Sequence, residues 1–225
     1  MRYIHAKNKG FTLVELSIVL VIIGIILGAV LKGQELINNS KAKRVTNDMK
    51  GIEAMLWTYY DRKGHWPGDC DINGIIGYSP SNTVVPDDTA DVLSNGATPT
   101  DSCDYSATTP TTEAANTVFS DMRVSRVAGY EIPNLVLAKH VVGGSFRIGG
   151  ATNSTVTVPA IVVYDLPAWM AKMVDVSIDS TESGTSGRVR NWVSTTGIDT
   201  GSAWPSDANN EQSVSLAYFF DKTLP

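Results

Sequence analysis

Lys9-Gly10-Phe11-Thr12-Leu13-Val14-Glu15 opens an apolar run that leaves through Leu31-Lys32-Gly33, and the rest of the chain is read outward from it. Across residues 11–31 only Thr12, Glu15 and Ser17 interrupt apolar or glycine positions. Wound as a helix at about 1.5 Å per residue, that run rises about 31 Å, the thickness of a bilayer's hydrocarbon core. The stretch is a membrane-spanning candidate. A carboxylate in such a span costs about 2.5 to 3.5 kcal/mol near its centre and less near its end, so Glu15 calls for a partner.

The flanks orient the span. Arg2, Lys7 and Lys9 carry the formal charge of the first ten residues, in a 225-residue chain of net charge −5. Basic residues before the run and a polar body after it predict a cytoplasmic N-terminus and an exported C-terminal domain. Without those three cations the remainder is more acidic still, rich in Thr, Ser, Asn and Gly. Nothing in it would neutralise a run of phosphates, so nucleic acid is not an expected partner. A cleaved secretory signal is the alternative, but its apolar core is shorter and ends in a small-x-small site, which residues 31–33 do not supply.

The stretch of residues 9–15, with the apolar run behind it, resembles the processing motif of type IV pilins and of type II secretion pseudopilins. The resemblance covers residues 7 to about 60. It implies a cut between Gly10 and Phe11 by a membrane peptidase that also methylates the new N-terminus at Phe11. It also implies a partner for Glu15, the N-terminal amine of a neighbouring subunit in a filament. Pairing a carboxylate with an ammonium offsets part of its burial cost. By the same resemblance the protein lies in a bacterial inner membrane, single-pass, with its C-terminal domain periplasmic. Its expected partners are a prepilin peptidase/N-methyltransferase, other pilin-like subunits in a homo- or hetero-filament, and an inner-membrane assembly platform. The first reading is a structural subunit of a type II secretion pseudopilus. Alternatives are a type IV pilin of a surface pilus, or a membrane-anchored periplasmic binding protein that never polymerises. Gly24 and Gly28 form a GxxxG pattern that permits close helix approach. Lys32 stands where many members carry a proline, which leaves a kink there open.

After Gly33 the helical pattern becomes amphipathic: Ala42, Val45, Met49, Ile52, Leu56 and Tyr59 recur at steps of three and four. This stripe reads as a core face against a sheet, with a coiled-coil partner as the alternative. Pro67 and Gly68 predict a stop near Gly64. A short helix is expected to open at Thr109-Pro110, with Glu113 in its first turn and Ala115, Val118, Phe119 and Met122 inward. Strands are expected at residues 135–142, 145–148, 155–164, 188–193 and 214–220, with Gly143-Gly144 and Gly149-Gly150 as separators. A helix is expected at residues 166–174. The fold class is α+β, a long N-terminal helix packed on a small antiparallel sheet in a pilin-like arrangement. The expected divisions are a leader at 1–10, a transmembrane or filament-core helix at 11–31, its amphipathic continuation at 32–63, and a periplasmic globular domain at 64–225.

In an exported body, Cys70 and Cys103 read most economically as a disulfide across a turn-rich loop, with free thiols or intermolecular bridges as alternatives. Asp69-x-Asp71-x-Asn73-Gly74 matches the first half of a calcium loop, but Pro80 stands where the chelating Glu belongs. Asp175, Asp179 and Glu182, before Ser183-Gly184, are a second calcium candidate, and the resemblance adds weight because certain pseudopilins hold calcium in C-terminal loops. No other cofactor is expected. His65 and His140 lie outside any zinc spacing, and Gly184-Thr185-Ser186-Gly187 is not a nucleophile elbow. An enzyme is not expected.

Overall fold

The computed structural model describes residues 10–80, 86, 102–105, 114–152, 156–193 and 203–221. Helix α1 spans Leu13–Lys63, 51 residues. Contacts divide the chain into two compact units, Met1–Ser40 and Lys41–Pro225. In the first, the apolar side chains of α1 face outward: Leu13 is 85% exposed, Ile25 68% and Leu31 68%. This stretch is long and apolar enough to cross a membrane. The helix continues through Lys32 and Gly33, where the Lys32 ammonium lies 2.7 Å from Glu35 in an exposed i,i+3 pair.

In the second unit the rest of α1 buries the stripe that its periodicity marks: Ala42, Val45, Met49, Ile52, Leu56 and Tyr59. They join one core with Phe146, Ile148, Ile161, Val163, Leu216 and Tyr218 from the sheet, so the stripe is a core face. Polar groups bolt the same contact. The Lys50 ammonium reaches the Tyr218 hydroxyl, which donates to Glu53 at 2.9 Å. The helix ends at Gly64, whose φ of +79° suits glycine and whose N–H donates to the Tyr60 carbonyl.

The four strands are β1 (Phe146–Thr152), β2 (Thr157–Pro167), β3 (Val189–Trp192) and β4 (Ser213–Tyr218). They pair antiparallel in the order β1-β2-β4-β3. Alternate residues of β2 serve two cores. Ile161 and Val163 face α1, while Ala160, Val162 and Tyr164 join Ala217, Phe219 and Trp192 in a second cluster. Burial on both faces explains why this strand reads as an unbroken apolar run. The register shifts between Val163 and Leu166, with Asp165 at φ +60°, as in a β-bulge.

Four expectations change. Residues 135–142 are not a strand: Pro133 leads into helix α3 (Asn134–Ala138), its carbonyl accepting from Val136 and Leu137. Asn134 is held in the core by a hydrogen bond from Arg123 and one to Ser120, an anchor that an apolar run does not reveal. Gly149-Gly150 lie inside β1 rather than ending it. A Cβ at Gly149 would stand 2.1 Å from the Tyr78 carbonyl, and Gly150 N–H donates to that oxygen at 2.9 Å. The glycines let the loop before residue 80 press on the strand. Helix α2 is Thr117–Val124. Thr109, Pro110 and Glu113 lie outside the described residues, and residues 114–116 form a turn in which Ala114 N–H donates to the Thr117 hydroxyl, so the helix opens later than expected. Helix α4 is Ala168–Asp179: Leu166 and Pro167, expected in it, close β2 instead, and the helix runs on past Val174.

Candidate functional site

Four places bear on function. The first is the start of α1. Phe11 is 91% exposed, and Gly10 before it is exposed as well. The Glu15 carboxylate accepts from Thr12 N–H at 2.9 Å and from the Thr12 hydroxyl at 2.8 Å. Glu15 N–H donates back to that hydroxyl at 3.2 Å. This is a capping box, which satisfies two of the helix's otherwise unpaired N–H groups. Glu15 thus has a local partner in Thr12, which the Thr-x-x-Glu spacing could have signalled. Residues 2, 7 and 9 of the basic leader lie outside the described residues.

The second is the loop after α1. Cys70 and Cys103 are joined by a disulfide. Beside it, buried Asp121 from α2 accepts from Gly68 N–H (2.8 Å), Cys103 N–H (2.9 Å) and the Tyr105 hydroxyl (3.0 Å). Burial pushes the Asp121 carboxyl above the usual range, and the three donors oppose that rise. Tyr105 meets the Tyr59 hydroxyl at 3.2 Å, and burial pushes Tyr59 up to about 12. One carboxylate therefore ties α1, the disulfide loop and α2 together. Sequence reasoning missed it because its donors lie 16 to 53 residues away.

The third comprises the acidic turns. Asp69 accepts from Asn73 and Gly74 N–H, both at 3.0 Å, and Asp71 accepts from the Asn73 amide at 2.7 Å. The oxygens of this turn close the turn itself. Buried Asp175 accepts from Ser183 N–H and Trp204 Nε1, each at 2.7 Å. Asp179 accepts from Val189 N–H at 2.8 Å, and Glu182 lies 3.5 Å from Lys172. Each of the three carboxylates serves its own protein donor. No group of three His, Cys, Asp or Glu suited to a metal occurs among the described residues. Burial pushes Asp175 up to about 6, against the pull of its two hydrogen bonds.

The fourth is an aromatic cluster at the end of α1. Trp57, Tyr60 and Trp66 pack with centroids 4.6 to 5.9 Å apart and border a cavity with His65, Asp69 and Asp221. His140 lies elsewhere, buried. Its Nε2 meets the Tyr164 carbonyl at 2.7 Å and its Nδ1 accepts from Val142 N–H at 3.3 Å. That arrangement fits the neutral ring, and burial lowers its pKa.

Comparison with known proteins adds to the first place alone. Residues 5–31 match the family described as the prokaryotic N-terminal methylation motif. The fimbrial protein EcpC of Eikenella corrodens is 40% identical over 69 residues, 30% of this chain and 45% of that protein. The likeness thus spans less than half of either chain. No solved structure gives a significant match.

Proposed function

We propose that this chain, type IV pilin-like by its N-terminal methylation motif, is a structural subunit of a type IV pilus-like filament. The observation that carries the reading is the motif set on a helix whose apolar residues, from Leu13 to Leu31, stay exposed among the described residues. Fully burying one such side chain contributes about 1.5 to 3 kcal/mol, so a row of them needs a bilayer or neighbouring helices. Prepilin peptidase cuts after Gly10 and methylates Phe11, and the helix stays on the mature protein. It anchors the subunit in the inner membrane with the second unit in the periplasm, then leaves the bilayer to bundle in the filament core. Glu15 passes from Thr12 to the amine of the neighbouring subunit as the subunit docks. The role is mechanical rather than catalytic.

Two filaments fit. The secretion pseudopilus is the reading drawn from the sequence, and the fimbrial name of the matched relative favours a surface fibre. Deleting the gene and scoring two phenotypes separates them. Loss of exoproteins from the medium with fibres intact assigns the pseudopilus, and loss of surface fibres with secretion intact assigns the pilus. If both survive, the membrane-anchored binding protein replaces the filament reading.

A further inference from the structure

The cavity at the end of α1 measures about 420 Å³, within the roughly 300 to 1,000 Å³ of ligand pockets. Its aromatic wall is braced before any ligand arrives. Trp57 meets Trp66 edge-on at 4.9 Å and 67°, Tyr60 lies over Trp66 at 4.6 Å and 39°, and Phe220 backs Trp66 at 5.4 Å. A buried indole N–H ordinarily finds an acceptor. Trp66 is only 5% exposed, yet no described hydrogen bond uses its N–H, and the atom is not sealed from solvent. The Trp57 N–H, the Tyr60 hydroxyl and the Asp221 carboxylate likewise have no hydrogen-bond partner among the described residues.

The facing wall is the turn that holds Asp69 and Asn73. Within it Ile72 is 58% exposed and sits at φ +55°, a left-handed conformation that costs a β-branched residue about 1 to 3 kcal/mol. Asp69, which clamps the N–H groups of Asn73 and Gly74, and the disulfide at Cys70 hold the turn in place. Among the described residues no lysine or arginine borders the cavity, while Asp69 and Asp221 do, so an anionic ligand is disfavoured.

We infer that the cavity bordered by Trp57, Tyr60, Trp66 and Asp221 binds a neutral mono- or disaccharide. A pyranose presents an apolar C–H face to an aromatic wall, hydroxyl oxygens to the indole N–H groups, and hydroxyl protons to a carboxylate. A tetraalkylammonium cation would suit the rings and the carboxylate, but it carries no acceptor for the two indole donors. The site is independent of the filament reading, because it needs only the second unit.

The test is calorimetric titration of the full chain in lipid nanodiscs, with empty nanodiscs as blank. The probes are glucose, galactose, N-acetylglucosamine, maltose and lactose, alongside tetramethylammonium and N-acetylneuraminate. Saturable binding of at least one neutral sugar is expected. Trp57→Ala should weaken it about tenfold, the scale of a lost aromatic contact. Asp221→Asn, at an exposed position where folding is not at stake, should weaken it about threefold or more by removing a charged acceptor. The inference is overturned if no neutral sugar binds, if binding survives both substitutions at full strength, or if only the cation or the anion binds.

Discussion

The two ends of α1 are one continuous helix with opposite surroundings. Leu20 and Ile22 stay 62% and 50% exposed, whereas Val45, Met49 and Leu56 are fully buried. The difference lies in the pattern. Residues 18–31 are apolar or glycine all round, which a single small sheet could not cover, while residues 42–59 carry their buried side chains on one stripe. An all-round apolar helix must find its solvent outside its own chain, and a striped one finds it within. On the proposed filament reading the first region carries association, and the second carries the stability of its own compact unit.

The sharpest break of that comparison is at Glu15. Glu15→Val should leave cleavage after Gly10 intact and abolish incorporation into filaments, read by immunoblot of sheared fibres. Normal incorporation would remove Glu15 from assembly. The next is a matched pair. Leu56→Ala should destabilise the second unit by about 2 to 5 kcal/mol, the cost of a core cavity, while Leu20→Ala leaves its unfolding unchanged. All five tryptophans lie in the second unit, so tryptophan fluorescence of micelle-held protein in urea reports that unit alone.

Smaller effects follow. Replacing Cys70 and Cys103 by serine should cost about 3 to 4 kcal/mol in the chain-entropy model for a loop of 33 residues' separation. The urea midpoint should fall for the second unit with membrane anchoring unchanged. The pH dependence should carry two signs. His140 has a native pKa below its unfolded value, so the unfolded chain binds more protons and stability falls as pH drops through about 6.5. Asp175 stands at about 6 in the native state, above its unfolded value, so its contribution is full at low pH. It is lost as pH rises from about 4 to about 6. Asp175→Asn should therefore gain stability relative to the parent across that window, and parallel curves would dismiss the assignment. Least of all, EDTA should leave the melting temperature where it was, since Asp175, Asp179 and Glu182 serve protein donors. A drop on chelation would restore calcium to the turn after α4.

What the sequence disclosed follows the same division. Periodicity marked Ala42, Val45, Met49, Ile52, Leu56 and Tyr59, and those six are the buried face of α1, because a helix's inward stripe is a local property. The α+β class and the four strands were legible for similar reasons. Residues 135–142 were not, since a short apolar run fits helix or strand, and the Asn134 anchors to Arg123 and Ser120 decide between them. Gly149-Gly150 misled because glycine ends strands as often as it admits a neighbouring backbone. The Asp121 hub and the Phe220 side of the ring cluster around Trp66 depend on contacts distant in sequence, which no local spacing encodes. At the N-terminus the motif was plain, but the Thr12–Glu15 capping box was not, because the same Glu15 also falls inside an apolar run that reads as a membrane span.

The most direct test of the filament account is the intact mass of the chain in two fractions, detergent-extracted membranes and sheared or overexpressed filaments. The account predicts in both a species lacking Met1 to Gly10 and carrying one added methyl group on Phe11. A full-length, unmethylated chain in the membrane, with none in any filament fraction, would contradict it.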